Sequence, residues 1–143
     1  MNIRESWLLF ALGSAFFAAL TALFGKLGVA GINSNLATFI RTLVILGVTA
    51  GILSFRAEWA KPTGLPWHSW LFLVLSGVAT GLSWLCYYRA LQLGPISKVA
   101  PIDKLSVAIA IVFGLLLLGE KPTWPVLVGG ALIVAGSLVI ALF

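Results

Sequence analysis

The amino-acid sequence predicts an all-α, polytopic membrane protein with five transmembrane helices. Hydrophobic residues make up 61% of the 143 residues and charged residues only 9%, whereas a soluble domain carries about 25% charged residues. The apolar residues form five blocks of about 20 residues, the length that an α-helix needs to cross a hydrocarbon core of roughly 30 Å. These observations predict one transmembrane domain that covers residues 1–143.

The boundaries of the helices follow from the breaks between the apolar blocks. The predicted helices lie at about 6–24, 36–55, 67–88, 97–118 and 124–143. The first block is longer than the apolar core of a secretory signal, about 7–15 residues, so it is predicted to be a retained helix. A glycine-rich turn follows it, and Asn33 or Ser34 is suited to cap the second helix. Because the connections are short, consecutive helices are predicted to be antiparallel neighbours.

The basic residues are shared almost evenly between the two sets of loops. Nine Lys and Arg residues occur in the chain. On the side of the N-terminus these residues are Arg4, Arg56, Lys61 and Lys121. On the opposite side they are Lys26, Arg89 and Lys98, with Arg41 and Lys104 a turn or two deeper in the helices. Membrane orientation follows an excess of Lys and Arg in the cytoplasmic loops. Since neither side has a clear excess, we expect the chain to insert in both orientations.

Three charged residues lie inside the predicted helices near one membrane surface. Asp103 is about six residues into the fourth helix, and Arg41 is about five residues into the second helix, which enters from the same side. Lys104 is next to Asp103 but should point about 100° away around the helix. A charge at this depth is costly unless it is paired or hydrated. Two interpretations remain open: a polar pathway that holds all three residues, or a structural Arg41–Asp103 ion pair.

Aromatic residues at the end of the third helix form a second candidate surface. Trp84 and Tyr88 are four residues apart and therefore share a helix face. With Ser83 they could form an aromatic wall that contacts a substrate, including by cation–π interactions. The alternative is an aromatic belt at the membrane interface. Pro101, one turn into the fourth helix, weakens its backbone ladder, which would either expose backbone groups to a site or only kink the helix.

Small residues mark surfaces where helices could pack closely. They are the pairs Gly47/Gly51 and Gly77/Gly81 and, in the fifth helix, Gly129, Gly130 and Gly136. The fifth helix carries no charge after Lys121. It is therefore a candidate for contact between two copies of the chain.

Composition and motifs also exclude several functional classes. The basic residues lie singly at helix ends and form no basic stripe, so the net charge of +5 predicts contact with anionic membrane lipid and not with nucleic acid. A lone cysteine, Cys86, excludes an internal disulfide, and a lone histidine, His68, gives no metal site. The sequence contains no motif of a metalloprotease, a serine hydrolase or a phosphate-binding loop. We therefore expect no enzyme and no cofactor.

Several short motifs resemble the EamA family of the drug/metabolite transporter superfamily. They are Phe39-Ile40-Arg41, Tyr87-Tyr88-Arg89-Ala90-Leu91, Val99-Ala100-Pro101, Leu118-Gly119-Glu120 and Val128-Gly129-Gly130-Ala131-Leu132. In order, they resemble the family's arginine position in the second helix and the tyrosine-rich end of its third helix. The next two resemble the proline within its fourth helix and the Leu-Gly-Glu at the end of that helix, and the last resembles its glycine-rich fifth helix. The resemblance covers essentially the whole chain.

This resemblance implies a secondary-active transporter of a small metabolite or drug-like solute in the bacterial inner membrane. Most members carry two five-helix repeats of opposite orientation, whereas this chain has one, so an inverted second copy would supply the other repeat. In such an antiparallel homodimer, the transport pathway would contain Arg41, Trp84, Tyr88, Asp103 and Lys104. Alternating access would exchange the roles of the protomers, and Asp103 would couple transport to protons. The alternative is a non-catalytic membrane subunit of a larger flippase or transport complex.

Overall fold

The computed structural model describes residues 3–59 and 64–143, with side chains from residue 7 onward. The side chain of Arg4 and the whole of Lys61, both of which enter the count of loop charges, lie outside this description. The described residues form helices joined by short turns and no strands. The predicted all-α class is confirmed.

Over residues 3–59 and 64–143 there are six helices in the order α1 (Ile3–Gly28), α2 (Ser34–Phe55), α3 (Trp67–Leu93), α4 (Ile96–Asp103), α5 (Leu105–Leu117) and α6 (Trp124–Leu142). Within this described part of the chain, five segments are long and apolar enough to cross a membrane, and they are Trp7–Gly28, Ser34–Phe55, Trp67–Leu93, Ile96–Leu117 and Trp124–Leu142. The prediction of a five-span, multi-pass membrane protein is therefore confirmed, with α4 and α5 together forming one span.

Two helices continue past the ends predicted from the apolar blocks. α1 runs to Gly28 and α3 to Leu93. The prediction stopped α3 at the charge of Arg89, but arginine, glutamine and leucine are good helix formers. α3 ends only before Gly94-Pro95, since the residue before a proline avoids the helical backbone conformation. These extra turns matter because they carry several polar contacts described below.

The start of α2 is set by a side-chain cap. The Asn33 side-chain oxygen accepts hydrogen bonds from the backbone N–H of Asn35 at 2.8 Å and of Leu36 at 3.3 Å. The cap satisfies donors that have no partner within the helix. Of the two capping residues that the sequence offered, Asn33 takes the role, and Ser34 is the first residue of the helix.

The fourth apolar block differs from the single continuous helix predicted at 97–118. It is interrupted at Lys104, between α4 and α5. Here the Lys104 N–H donates to the Pro101 carbonyl at 3.1 Å and the Val107 N–H to the Lys104 carbonyl at 3.0 Å, bonds that span three residues as in a 3₁₀ turn. Because Pro101 has no N–H, the regular ladder is already weakened in this region. The interruption is therefore a tightened turn, and Lys104 keeps a helical backbone conformation.

The chain divides into two compact units, which are described separately. The α2–α3 unit is Gly25–Gln92, and the α4–α6 unit combines Met1–Phe24 with Leu93–Phe143. In the α4–α6 unit, α6 packs against both α4 and α5. A Cβ added at Gly130 would lie 3.0 Å from Ile111 Cδ1, so the glycine allows close approach of α6 to α5. That 1–143 acts as one domain stays a prediction.

The other glycines singled out in the sequence make no such contact within the described chain. A Cβ added at any of them would meet no atom within 4 Å, and they are Gly47, Gly51, Gly77, Gly81, Gly129 and Gly136. Of the predicted small-residue contacts, the one at Gly130 is thus present within the protomer.

The Leu118-Gly119-Glu120 motif has a structural explanation at the end of α5. Gly119 has a φ of 67°, a left-handed conformation that glycine adopts without steric cost. This turn brings the Glu120 N–H within 3.0 Å of the Gly114 carbonyl. The Glu120 carboxylate lies over the same residue, since a Cβ at Gly114 would be 2.8 Å from Oε2. The motif therefore closes the chain back onto α5.

Candidate functional site

Arg41 stacks on the aromatic pair predicted from the spacing of α3. Its guanidinium carbon lies 3.9 Å from the centroid of the Trp84 ring and 5.4 Å from that of the Tyr88 ring. Because Trp84 and Tyr88 are one helical turn apart, the two rings lie on the same face of α3. The contact joins the N-terminal half of α2 to the C-terminal half of α3 and fixes the position of the charge.

The energetics of this contact explain how a cation is held in an apolar span. Arg41 lies seven residues from the start of α2 at Ser34, or about 10 Å along the helix axis. An arginine at the centre of a transmembrane helix costs about 2.5–3.5 kcal/mol on insertion scales, and less near the interface. A cation–π contact returns about 0.5–2 kcal/mol, depending on how far the pair is removed from water. The aromatic pair therefore offsets part of the cost of burying this charge.

The buried face of α2 adds hydroxyl groups beside the arginine. Ser34 and Thr38 are buried, with 6% and 5% exposure, and with Arg41 they follow the i, i+4, i+7 spacing of one helix face. The Thr38 hydroxyl donates to the Ser34 carbonyl at 2.9 Å and keeps oxygen lone pairs available as acceptors. This face is polar within a mostly apolar helix. Ser34 and Thr38 were not among the predicted site residues, although their spacing from Arg41 can be read from the sequence.

Tyr88 is held tightly between Arg41 and the last turn of α1. It is 5% exposed and Leu91 is fully buried. A Cβ added at Gly25 would lie 3.2 Å from the Tyr88 hydroxyl oxygen and 3.4 Å from Leu91 Cδ1. The absence of a side chain at Gly25 therefore allows the tyrosine ring to pack against α1. Arg41, Tyr88 and the end of α1 form one packed group.

A group of polar side chains ties together the adjacent helix ends. The Lys26 ammonium donates to the Leu91 carbonyl. The Gln92 amide nitrogen donates to the carbonyls of Val29 at 3.2 Å and Ile32 at 2.6 Å. These carbonyls belong to the end of α3 and to the turn between α1 and α2, where helix termini lack intrahelical partners. The sequence analysis did not predict this role for Lys26 or Gln92, because it requires contacts between residues about sixty positions apart.

A cavity lies beside this group. It has a volume of about 240 Å³ and is lined by Lys26, Val29, Ala30, Gly31, Leu91 and Gln92. Arg89 is near the same helix end, since its guanidinium donates to the Gln92 side-chain oxygen at 3.0 Å. The end of α3 therefore combines aromatic rings, cationic groups and a small opening.

Cations outnumber acids in the α2–α3 unit. Glu58 is the only acid in the sequence from residue 25 to residue 92, and its carboxylate lies 3.6 Å from the Arg56 guanidinium. Both side chains of that pair are more than half exposed, in the loop after α2. The unit therefore contains no further carboxylate for the cations Arg41 and Arg89. The local charge suits an anionic group better than a cationic one.

The α4–α6 unit places Asp103 and Lys104 in contact. The Lys104 ammonium lies 3.3 Å from Asp103 Oδ2, with the side chains 54% and 36% exposed respectively. Lys104 was expected to point about 100° away from Asp103 around the helix, and its long, flexible side chain nevertheless reaches the carboxylate of the preceding residue. The Ser106 hydroxyl also donates to the Asp103 carbonyl at 2.7 Å. The interrupted turn thus carries a half-exposed ion pair.

The structure thus groups the predicted site residues into two sets. Arg41, Trp84 and Tyr88 form one contact group in the α2–α3 unit, and Asp103 and Lys104 form an ion pair in the α4–α6 unit. The cation that the aromatic wall contacts is the protein's own arginine, whereas the sequence analysis considered a cationic substrate. The Arg41–Asp103 pair and the roles of all five residues in transport stay predictions.

Comparisons with known proteins show what the chain is similar to. The sequence model of the EamA-like transporter family matches residues 5–142. An "Uncharacterized transporter in cobO 3'region" from Sinorhizobium sp is 55% identical over 141 residues, covering 99% of this chain and 100% of that relative. A "Probable terminal-alkyne amino-acid exporter" from Streptantibioticus cattleyicolor is 37% identical over 132 residues, or 90% of this chain but only 40% of the exporter. No solved structure matches the chain.

Proposed function

Since the chain belongs to the EamA-like transporter family and is a multi-pass membrane transporter of small solutes, we propose that it acts as an antiparallel homodimer by alternating access. The names of the family and of the relatives indicate a transporter and not an enzyme. The observation that carries the proposal is the Arg41 guanidinium held on Trp84 inside an apolar span. A positioned charge beside buried hydroxyl groups is what a polar pathway through a membrane requires.

The second copy in an inverted orientation is supported by two observations. The loop charges are balanced between the two sides of the membrane, so they favour neither orientation. The Sinorhizobium relative aligns over its whole length with this chain, whereas the same chain corresponds to 40% of the Streptantibioticus exporter. A transporter that is more than twice as long has room for a second five-helix repeat in one polypeptide. In this chain the inverted repeat would come from another molecule, and the site would lie between the two.

Amino acids are the solute class that we propose to test first. The exporter relative is named for terminal-alkyne amino acids. The purified chain alone would be placed in lipid vesicles and supplied with propargylglycine, an amino acid with a terminal alkyne, under an imposed pH gradient. Uptake well above that of protein-free vesicles is the expected result. Vesicles that transport nothing until a second protein is added would instead favour the membrane-subunit alternative.

Asp103 is the residue that we propose couples transport to protons, with no other cofactor. It is half-exposed and pairs with Lys104 at the interrupted turn. Protonation would release the pair, because a neutral carboxyl no longer attracts the ammonium group. Asp103→Asn should abolish uptake driven by the pH gradient, while Glu58→Gln, at an exposed acid that pairs with Arg56, should leave it unchanged. Unaltered pH-driven uptake in Asp103→Asn would remove Asp103 from this role.

A further inference from the structure

We propose that Arg41 binds the carboxylate of the transported solute, and that Trp84 holds the guanidinium in the orientation that this requires. The inference rests on the proposed transport function and names the chemical group that the site recognises.

Stacking occupies a face of the guanidinium and leaves its donors free. The centroid of the Trp84 ring lies 3.9 Å from the guanidinium carbon. This short distance fits contact through the flat face of the group, because an N–H edge pointing at the ring would hold the carbon farther away. The five N–H donors of arginine lie in its plane and point outward from the edges. Among the described residues of the α2–α3 unit, none forms a hydrogen bond or an ion pair with these donors. The edges are thus available for a planar, bidentate acceptor.

A carboxylate is the acceptor that matches this arrangement. Arginine binds carboxylates through two parallel N–H···O bonds, which give both charge compensation and a fixed orientation. The only carboxylate of the unit, that of Glu58, is paired with Arg56 in the exposed loop. Arg41 is partly buried in an apolar span, where a charge is costly unless it is paired or hydrated. A solute carboxylate would supply the partner that this unit does not contain.

The aromatic pair explains why an arginine and not a lysine serves here. A flat guanidinium keeps its orientation on an indole ring, whereas an ammonium group is a point charge with rotating donors. Tyr88, which is 5% exposed, lies further from the guanidinium carbon, at 5.4 Å from its ring centroid. It packs against the end of α1 at Gly25 and supports the arrangement. Substrate recognition is therefore assigned to Arg41, and Trp84 is a positioning residue.

The test compares propargylglycine with its carboxamide, which keeps the side chain and the amino group but has no carboxylate. Binding is measured on the full chain in detergent from the concentration dependence of the rise in Tm. The acid should stabilise the wild type and the control Arg56→Gln, and the carboxamide should not. Arg41→Gln should weaken binding of the acid roughly tenfold to a hundredfold, the loss expected for charge-assisted hydrogen bonds. Arg41→Lys should bind the acid with an affinity between those of the wild type and Arg41→Gln. If Arg41→Gln fails to fold, the comparison of Arg41→Lys with the wild type provides the test.

Several outcomes would overturn the inference while leaving the transport function intact. They are equal stabilisation by acid and carboxamide, failure of the acid to stabilise the wild type, and undiminished binding or uptake of the acid by Arg41→Gln. Displacement of the acid by added phosphatidylglycerol would assign Arg41 to a lipid phosphate. Conversely, a wild type that binds the acid through Arg41 but moves no solute in vesicles would refute the transport function and support the assignment of Arg41.

Discussion

The stacking of Arg41 on Trp84 predicts an energetic coupling between these two residues. Four forms of the chain measure it: the wild type, Arg41→Met, Trp84→Leu and the double variant. Methionine keeps an unbranched side chain and removes the charge, and leucine keeps an apolar residue and removes the ring. If the contact stabilises the fold, the two substitutions together should cost less than the sum of their separate costs.

The size of the coupling follows from the geometry. The guanidinium carbon lies 3.9 Å from the Trp84 centroid, well inside the range of about 6 Å over which cation–π attraction is significant. Both side chains are partly buried, so the interaction should fall between the exposed value of about 0.5–1 kcal/mol and the desolvated value of about 2 kcal/mol. We therefore expect a coupling free energy of about 1–1.5 kcal/mol, equivalent to roughly a fivefold to tenfold change in the unfolding equilibrium constant.

The assay is reversible unfolding in mixed detergent–lipid micelles by titration with a denaturing detergent, followed by circular dichroism. Phe55, at the other end of α2 and 93% exposed, provides the control. It is about 21 Å from Arg41 along the helix, so Arg41→Met and Phe55→Leu should be additive within about 0.3–0.5 kcal/mol. A coupling between Arg41 and Trp84 no larger than this control value would refute the claim that the aromatic ring holds the charge.

Three further predictions concern the packing around the site, and each is measured as a change in Tm or in unfolding free energy. Gly25→Ala should destabilise the protein by about 1 kcal/mol through overpacking, because the added Cβ would lie 3.2 Å from the Tyr88 hydroxyl oxygen. The control Gly47→Ala, where no atom lies within 4 Å of the added Cβ, should not destabilise the protein. Equal effects of the two substitutions would contradict the packing of Tyr88 against Gly25. Gly119→Ala should cost about 1–2 kcal/mol, because the residue has a φ of 67°, and an unchanged Tm would show that the turn adopts another conformation. Gln92→Leu removes two hydrogen bonds to carbonyls of the α1–α2 turn and should cost about 1–2 kcal/mol, whereas a neutral result would mean that water satisfies those carbonyls.

The spans were predictable because a bilayer imposes a simple requirement on sequence. A helix that crosses hydrocarbon needs about 20 apolar residues, and five such blocks can be counted directly. The ends of the helices were less predictable, since the extra turns of α1 and α3 lie where the apolar signal has already stopped. Gln92 illustrates the reason: it stays helical and bonds to Val29 and Ile32, and no local pattern reveals contacts across that separation.

The site was predictable in part, and the reason differs between its two halves. Trp84 and Tyr88 share a face by spacing alone, so the aromatic surface was accessible from the sequence. That its cation is Arg41 depends on a side-chain contact between α2 and α3, which short-range patterns do not contain. The contact between Asp103 and Lys104 was not predicted. Consecutive helical residues point in different directions, and the sequence does not show that the long lysine side chain reaches back to the carboxylate.

The most direct test of the antiparallel homodimer is the orientation of the chain in the membrane. Single cysteines would be placed at Leu93 and at Thr123, which lie at opposite ends of the spans, in a chain whose own Cys86 is replaced by serine. A membrane-impermeant maleimide added to intact cells should label both Leu93→Cys and Thr123→Cys to a comparable extent, because each orientation is present in the population. Labelling of one position together with complete protection of the other would show a single orientation and contradict the account.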